Sequence, residues 1–263
     1  MSIPVAMIPY TNMAPYRQLG PPPGCHFVSL VPRKSIDALR SGKVVAAAVP
    51  VGGLAMLGDT VETVGRFGIA AKGPCMSVLL FSRHPFEGMH APRTLRVTSE
   101  TASSVRLLYL LMGQVFGFDR LPYLAQAGQA ADGELLIGDR ALVRGQVLQA
   151  DDPYAYVTDL SQVWMQFNGR PFVFARWVVK KDAPPAIKAA INNWLETFKA
   201  KESTLVERAV APCAQTLGLS EDVARRYFSV IRRCLDAEDL QGQQLFIEKM
   251  EGVGQGELFQ PQQ

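Results

Sequence analysis

Residues 44–49, Val44-Val45-Ala46-Ala47-Ala48-Val49, are apolar at every position. Such a pattern belongs to a strand covered on both faces, as in the middle of a largely parallel sheet. A strand of this kind needs helices packed on either side of its sheet, which commits this part of the chain to an α/β architecture. The neighbouring segments agree. Residues 3–8 form an apolar, partly β-branched run ended by Pro9, and residues 26–31 form a second. Residues 66–71 and 76–82 add two more, with Gly73-Pro74 as the turn between them. Residues 33–41 carry Ile36 and Leu39 at helical spacing and stop at Gly42.

Beyond residue 82 the character changes. Residues 83–93 hold His84-Pro85, Gly88 and Ala91-Pro92, the composition of a linker. A short strand at 95–97, a hydroxyl-rich patch and an apolar helix through about 116 follow. Residues 134–137 read as a strand running into Gly138-Asp139 and a short helix, and residues 171–179 as a further strand. Asp182 with Pro184 and Pro185 reads as a capped helix start. Helical segments are expected at 184–199 and 202–217, from Ser220, and over 236–251. This order suggests two lobes, one discontinuous (residues 1–92 plus 178–263) and one inserted (93–177), with a ligand cleft between them. The alternative is a single doubly wound sheet with a helical tail.

Composition removes several function classes. Hydrophobic residues make up 48% and charged residues 19%, so a sizeable core forms and disorder is excluded. The net charge of +3, from 27 basic and 24 acidic residues without a concentrated basic stripe, argues against a nucleic-acid partner. Cys25, Cys75, Cys213 and Cys234 show no C-x-x-C spacing, which disfavours a zinc site or disulfide framework and points to the cytoplasm. His26, His84 and His90 form no metal-ligand motif. The first residues lack a basic segment and are broken by Pro4, Pro9 and Asn12, and no apolar run is long enough to span a bilayer, so neither a signal peptide nor a membrane association is expected. There is no G-x-S-x-G elbow, P-loop or G-x-G-x-x-G fingerprint. Cys25 and His26 are neighbours on a strand and point to opposite faces, so they do not make a catalytic pair.

Polar residues at strand ends are the stronger candidates. Tyr10, Thr11 and Asn12 follow the first strand, where open α/β sheets collect ligand contacts. Asn12 offers an acceptor and two donors; a turn or helix cap is the plainer reading. Ser77 is either a functional hydroxyl or one bonded to the backbone. Ser99 and Thr101 precede an apolar helix, where hydroxyls and free N–H groups suit a carboxylate or phosphate, or where one of them caps the helix. Asp139, where a strand meets a helix, either caps that helix or faces the ligand.

Taken together these segments resemble a known family. Tyr10-Thr11-Asn12-Met13-Ala14-Pro15 is similar to its Y-x-N-x-x-P opening, and residues 32–42 with Val49-Pro50 to its next block. Residues 68–82 resemble the block that ends in S-V-x-L-F-S, here Ser77 to Ser82. Leu136 to Leu142 resembles L-I-G-D-x-A-L, and Asp159-Leu160, Trp164 and residues 169–177 resemble D-L-x-x-x-W followed by G-x-P-F-V-F-A-x-W. The family is that of the chorismate dehydratases of the futalosine route to menaquinone, and the resemblance covers nearly the whole chain.

The resemblance implies a two-lobed, type II periplasmic-binding-protein-like α/β fold with a helical C-terminal region. It also implies a cofactor-independent, cytoplasmic hydro-lyase that removes water from chorismate to give 3-[(1-carboxyvinyl)oxy]benzoate. By position, Asn12 and Ser77 match the family's catalytic polar residues, and Tyr10, Thr11, Ser99, Thr101 and Asp139 fall to substrate binding. Three positions depart from the family pattern: Val45 for a usual Asp, Ala102 for a Ser, and Asn168 for a Thr. These leave open a binding or sensing protein for an aromatic or enolpyruvyl carboxylate, or the related cyclic-futalosine lyase.

Overall fold

The computed structural model describes residues 2–97, 103–126, 128–147 and 152–252. The elements in chain order are β1 (Ile3–Met7), α1 (Ala14–Leu19), β2 (Cys25–Ser29), α2 (Pro32–Arg40), β3 (Ala46–Pro50), β4 (Val61–Ala71), β5 (Val78–Ser82) and β6 (Thr94–Val97). Next come α3 (Ser103–Phe116), β7 (Tyr123–Leu124), β8 (Gly133–Ile137), α4 (Gly138–Gln146), β9 (Tyr156–Asp159) and α5 (Leu160–Asn168). The rest comprises β10 (Phe172–Lys180), α6 (Pro185–Leu217), α7 (Glu221–Val230), β11 (Arg232–Cys234) and α8 (Ala237–Gly252).

The chain divides into two compact units, Met1–Ala70 with Val173–Leu240, and Ala71–Phe172 with Gln241–Gln263. The first is built on a six-stranded sheet in the order β11-β4-β10-β3-β1-β2. Its centre is β3, buried at all five positions as the apolar run requires. β3 runs parallel to β1 and antiparallel to β10. Aromatic side chains fill the core beside it: Tyr16 stacks on Phe198 with ring centroids 3.9 Å apart, and Trp177 meets Trp194 edge-on at 5.3 Å.

The second unit carries a five-stranded sheet, β7-β6-β8-β5-β9. β5 is antiparallel to both β8 and β9, so its first residues lie level with the last residues of both neighbours. This pairing accounts for a boundary at 70/71, where the sequence reading sets it at 92/93: β5 belongs to the second sheet. The chain also passes between units once more, at 240/241. The reason is apolar: Phe246 of α8 packs edge-on against Phe172 and Trp164, at 5.0 and 6.0 Å.

Two further expectations change. The segments 184–199 and 202–217 are one 33-residue helix, α6, with Pro212 inside it; residues 199–202 are Lys, Ala, Lys and Glu, good helix formers that offer no stop. Asp182 pairs with Lys180 at 3.2 Å, and the capping position of α6 is Pro184, which offers no side-chain cap. Ser220 does cap α7, accepting from the Val223 N–H at 3.3 Å. No helix among the described residues is long and apolar enough to cross a membrane.

Close strand packing in the first unit makes one position intolerant of any side chain. A Cβ at Gly68 on β4 would overlap the Ala175 carbonyl oxygen of β10 and press on Leu235. Backbone cannot yield as a flexible side chain does, so Gly68→Ala is expected to destabilise the protein by about 1–3 kcal/mol. Thermal denaturation followed by circular dichroism checks this, and an unchanged midpoint would refute it.

Candidate functional site

In the first unit the chain leaves β1 and makes a 3-10 turn over Thr11–Met13 before α1. Three anchors hold this turn. The Arg17 guanidinium donates from Nη1 to the carbonyls of Ile8 (2.9 Å) and Tyr10 (3.1 Å). The Met13 N–H closes the turn on Tyr10 at 3.0 Å. From the other side, Arg233 Nε donates to the Asn12 carbonyl at 3.1 Å. Arg233 is 1% exposed, and its Nη1 also donates to Ile231 (3.1 Å) and lies 3.6 Å from Glu202.

The Asn12 main chain is therefore fixed, while its side-chain oxygen is buried and takes no hydrogen bond from the described residues. Buried acceptors of this kind are rare in folded proteins and mark a place where another group is expected to donate. Thr11 beside it is buried and Tyr10 is partly exposed.

In the second unit Ser77 is 4% exposed and stands just before β5, at the sheet end where β8 and β9 finish. Its hydroxyl donates to the Cys75 carbonyl at 3.3 Å, and its carbonyl accepts from Gly138 N–H at 2.8 Å. The preceding Met76 has φ +61°, the only positive φ outside glycine among the described residues.

Asp159 organises this turn. One carboxylate oxygen accepts from the N–H groups of Cys75 (2.9 Å) and Met76 (2.7 Å). The other caps α5 through Ser161 N–H (3.0 Å) and Gln162 N–H (3.2 Å). Burial pushes the Asp159 carboxyl above the usual carboxylate range, and the main-chain donors pull it back. Burial and the adjacent carboxylate push the Cys75 thiol well up, which keeps it a protonated, unreactive neighbour.

The sequence candidates thus fall into two groups. Tyr10, Thr11 and Asn12 share the 3-10 turn of the first unit. Ser77 and Asp139 share one end of the second sheet, joined through the Gly138 N–H; Asp139 sits in the first turn of α4, whose capping position is Ile137. Ser99 and Thr101 lie outside the described residues. Two supporting residues are absent from the sequence candidates, Arg233 and Asp159. Asp159 has a local signal, an Asp before an apolar helix, and Arg233 has none. Among the described residues no three His, Cys, Asp or Glu side chains are grouped to hold a metal ion.

Two α/β units built from discontinuous stretches define the class of protein. The fold is periplasmic-binding-protein-like. It matches the CA3427 gene product of Candida albicans, described as having the generic periplasmic binding protein fold, with a TM-score of 0.62, 12% identity and coverage of 97% of this chain and 91% of that one. Protein AF1704 of Archaeoglobus fulgidus matches with a TM-score of 0.67, 16% identity and coverage of 96% and 98%.

Sequence comparison narrows the class. A family model described as menaquinone biosynthesis matches residues 3–252. The chorismate dehydratase of Thermus thermophilus is 30% identical over 267 aligned positions, covering 96% of each protein. The chain belongs to this menaquinone biosynthesis family.

Proposed function

We propose that the protein is a hydro-lyase that dehydrates chorismate to 3-[(1-carboxyvinyl)oxy]benzoate, with Asn12 and Ser77 as the residues that act on the substrate. The observation that carries this reading is the buried Asn12 side-chain oxygen, which no donor among the described residues satisfies although the backbone around it is anchored. The chemistry asks for little beyond placement. The ring proton beside the enolpyruvyl ether is acidified through conjugation with the ring carboxylate, and loss of hydroxide then leaves an aromatic ring. The proton and the hydroxide together make one water.

A neutral amide is a weak base. Asn12 therefore orients the substrate, and the substrate's own enolpyruvyl carboxylate accepts the proton. Ser77, whose own proton goes to the Cys75 carbonyl, orients the substrate as an acceptor. Tyr10, Thr11 and Asp139 line the substrate, and Ser99 and Thr101 hold a carboxylate through charge-assisted hydrogen bonds. The reaction needs no redox or electron-sink chemistry, so a cofactor-free cytoplasmic enzyme fits it.

Incubation of the purified protein with chorismate tests the reading. The expected result is loss of chorismate absorbance together with a product lighter by one water in the mass spectrum. Tight chorismate binding without turnover would replace the enzyme with a binding or sensing protein, and absence of both would discard the reading.

A further inference from the structure

We propose that Asp159 is the positioning residue of Ser77, locking the peptide that receives the Ser77 hydroxyl. The inference rests on the reading of Ser77 as a residue that acts on substrate. Its geometry is confined to one peptide group. The Met76 N–H, which donates to Asp159 at 2.7 Å, and the Cys75 carbonyl, which accepts the Ser77 hydroxyl at 3.3 Å, are the two ends of the same planar unit. Holding one end fixes the other.

Without that hold the peptide has reason to turn. Met76 sits at φ +61°, a conformation that disfavours any residue with a Cβ. Rotation of the Cys75–Met76 peptide would relieve Met76 and carry the Cys75 carbonyl away from Ser77. Asp159 opposes this with two main-chain donors on a single oxygen, Cys75 and Met76, while its second oxygen takes two more from α5. All four main-chain partners are N–H donors. Only a group that accepts on both oxygens meets them all, so a carboxylate is required and an amide would set N–H against N–H.

The two tasks of Asp159 separate by substitution. Asp159→Ser keeps a capping oxygen for α5 but lacks the reach to Cys75 and Met76. With the intact chain and chorismate, kcat is expected to fall about 100-fold, the scale of a misplacement near 1 Å, while the chorismate Kd stays near the wild-type value. Adding Met76→Gly, which adopts φ +61° without strain, is then expected to restore most of the lost turnover; a role limited to capping α5 would not respond to position 76. Wild-type turnover is measured first, so an inactive wild type rejects the functional reading itself. With an active wild type, unchanged kcat in Asp159→Ser, or failure of Met76→Gly to restore it, overturns the assignment. If Asp159→Ser does not fold, the same pair is run on Asp159→Asn, and if neither folds Asp159 is a folding residue and the assignment fails.

Discussion

Replacing Asn12 by alanine is expected to lower the turnover of chorismate by about 100-fold, the scale of misplacing the reacting atoms by near 1 Å, with a much smaller change in binding. The separation follows from how the residue is held. Arg233 takes the Asn12 main-chain carbonyl, and the 3-10 turn closes through Tyr10 and Met13. None of these contacts uses the side-chain oxygen, which has no partner among the described residues. Alanine therefore keeps the turn and removes only the amide.

Two substrate carboxylates account for most of the binding in this reading, and they fall to hydroxyls and N–H groups elsewhere. Steady-state kinetics with an independent binding measurement on Asn12→Ala distinguishes the outcomes. A drop confined to kcat supports orientation of the reacting proton. Equal losses in kcat and affinity would make Asn12 a simple binding contact, and an unchanged thermal midpoint is expected in either case.

What could be read from the sequence was local, and what escaped it was long-range. The central strand was legible because burial on both faces leaves a continuous apolar run at 44–49, and β3 takes its last four residues and Pro50. Tyr10, Thr11 and Asn12 stood out as candidates because a strand that ends at a proline leaves its next polar residues at a sheet end, and the structure places all three in or beside one 3-10 turn. The membership of β5 was not legible. A linker-like composition at 83–93 marks a flexible-looking segment, whereas the sheet a strand joins is decided by partners distant in the chain, here β8.

Asp159 shows both sides of this limit. Its place before Leu160 and Trp164 reads as a helix cap, and it is one. Its bonds to Cys75 and Met76 span 84 and 83 residues and leave no trace in local pattern. Arg233 is harder still. Arg232 and Arg233 are adjacent on a three-residue strand, and alternation sends Arg232 toward Asp236 and Asp239 and Arg233 into the core.

Arg233 carries the second large effect. Arg233→Met is expected to cost about 3–5 kcal/mol of stability, the range for removing one member of a buried charged network. The guanidinium is almost wholly buried, and burial lowers its pKa from that of a free arginine. What keeps it charged and in place is a ring of acceptors: the carbonyls of Asn12, Phe228 and Ile231, and the Glu202 carboxylate at 3.6 Å. The face of Phe228 lies 5.4 Å from its central carbon.

Methionine matches much of the stem but donates nothing. Three buried carbonyls then lose their donor, and Glu202, which is partly exposed, regains water only in part. At about 2–4 °C per kcal/mol for a chain of this size, the midpoint should fall by roughly 6–20 °C. Arg233→Lys retains the charge but not the fork that spans Asn12 and Ile231, and is expected to lie between the two. Because the Asn12 carbonyl is one of the acceptors, the lysine variant should also lose turnover at temperatures where it remains folded. A methionine variant within about 1 kcal/mol of wild type, a threshold well below the cost of an unpaired buried charge, would mean that the arginine is spectator to the fold and that the Asn12 turn stands without it.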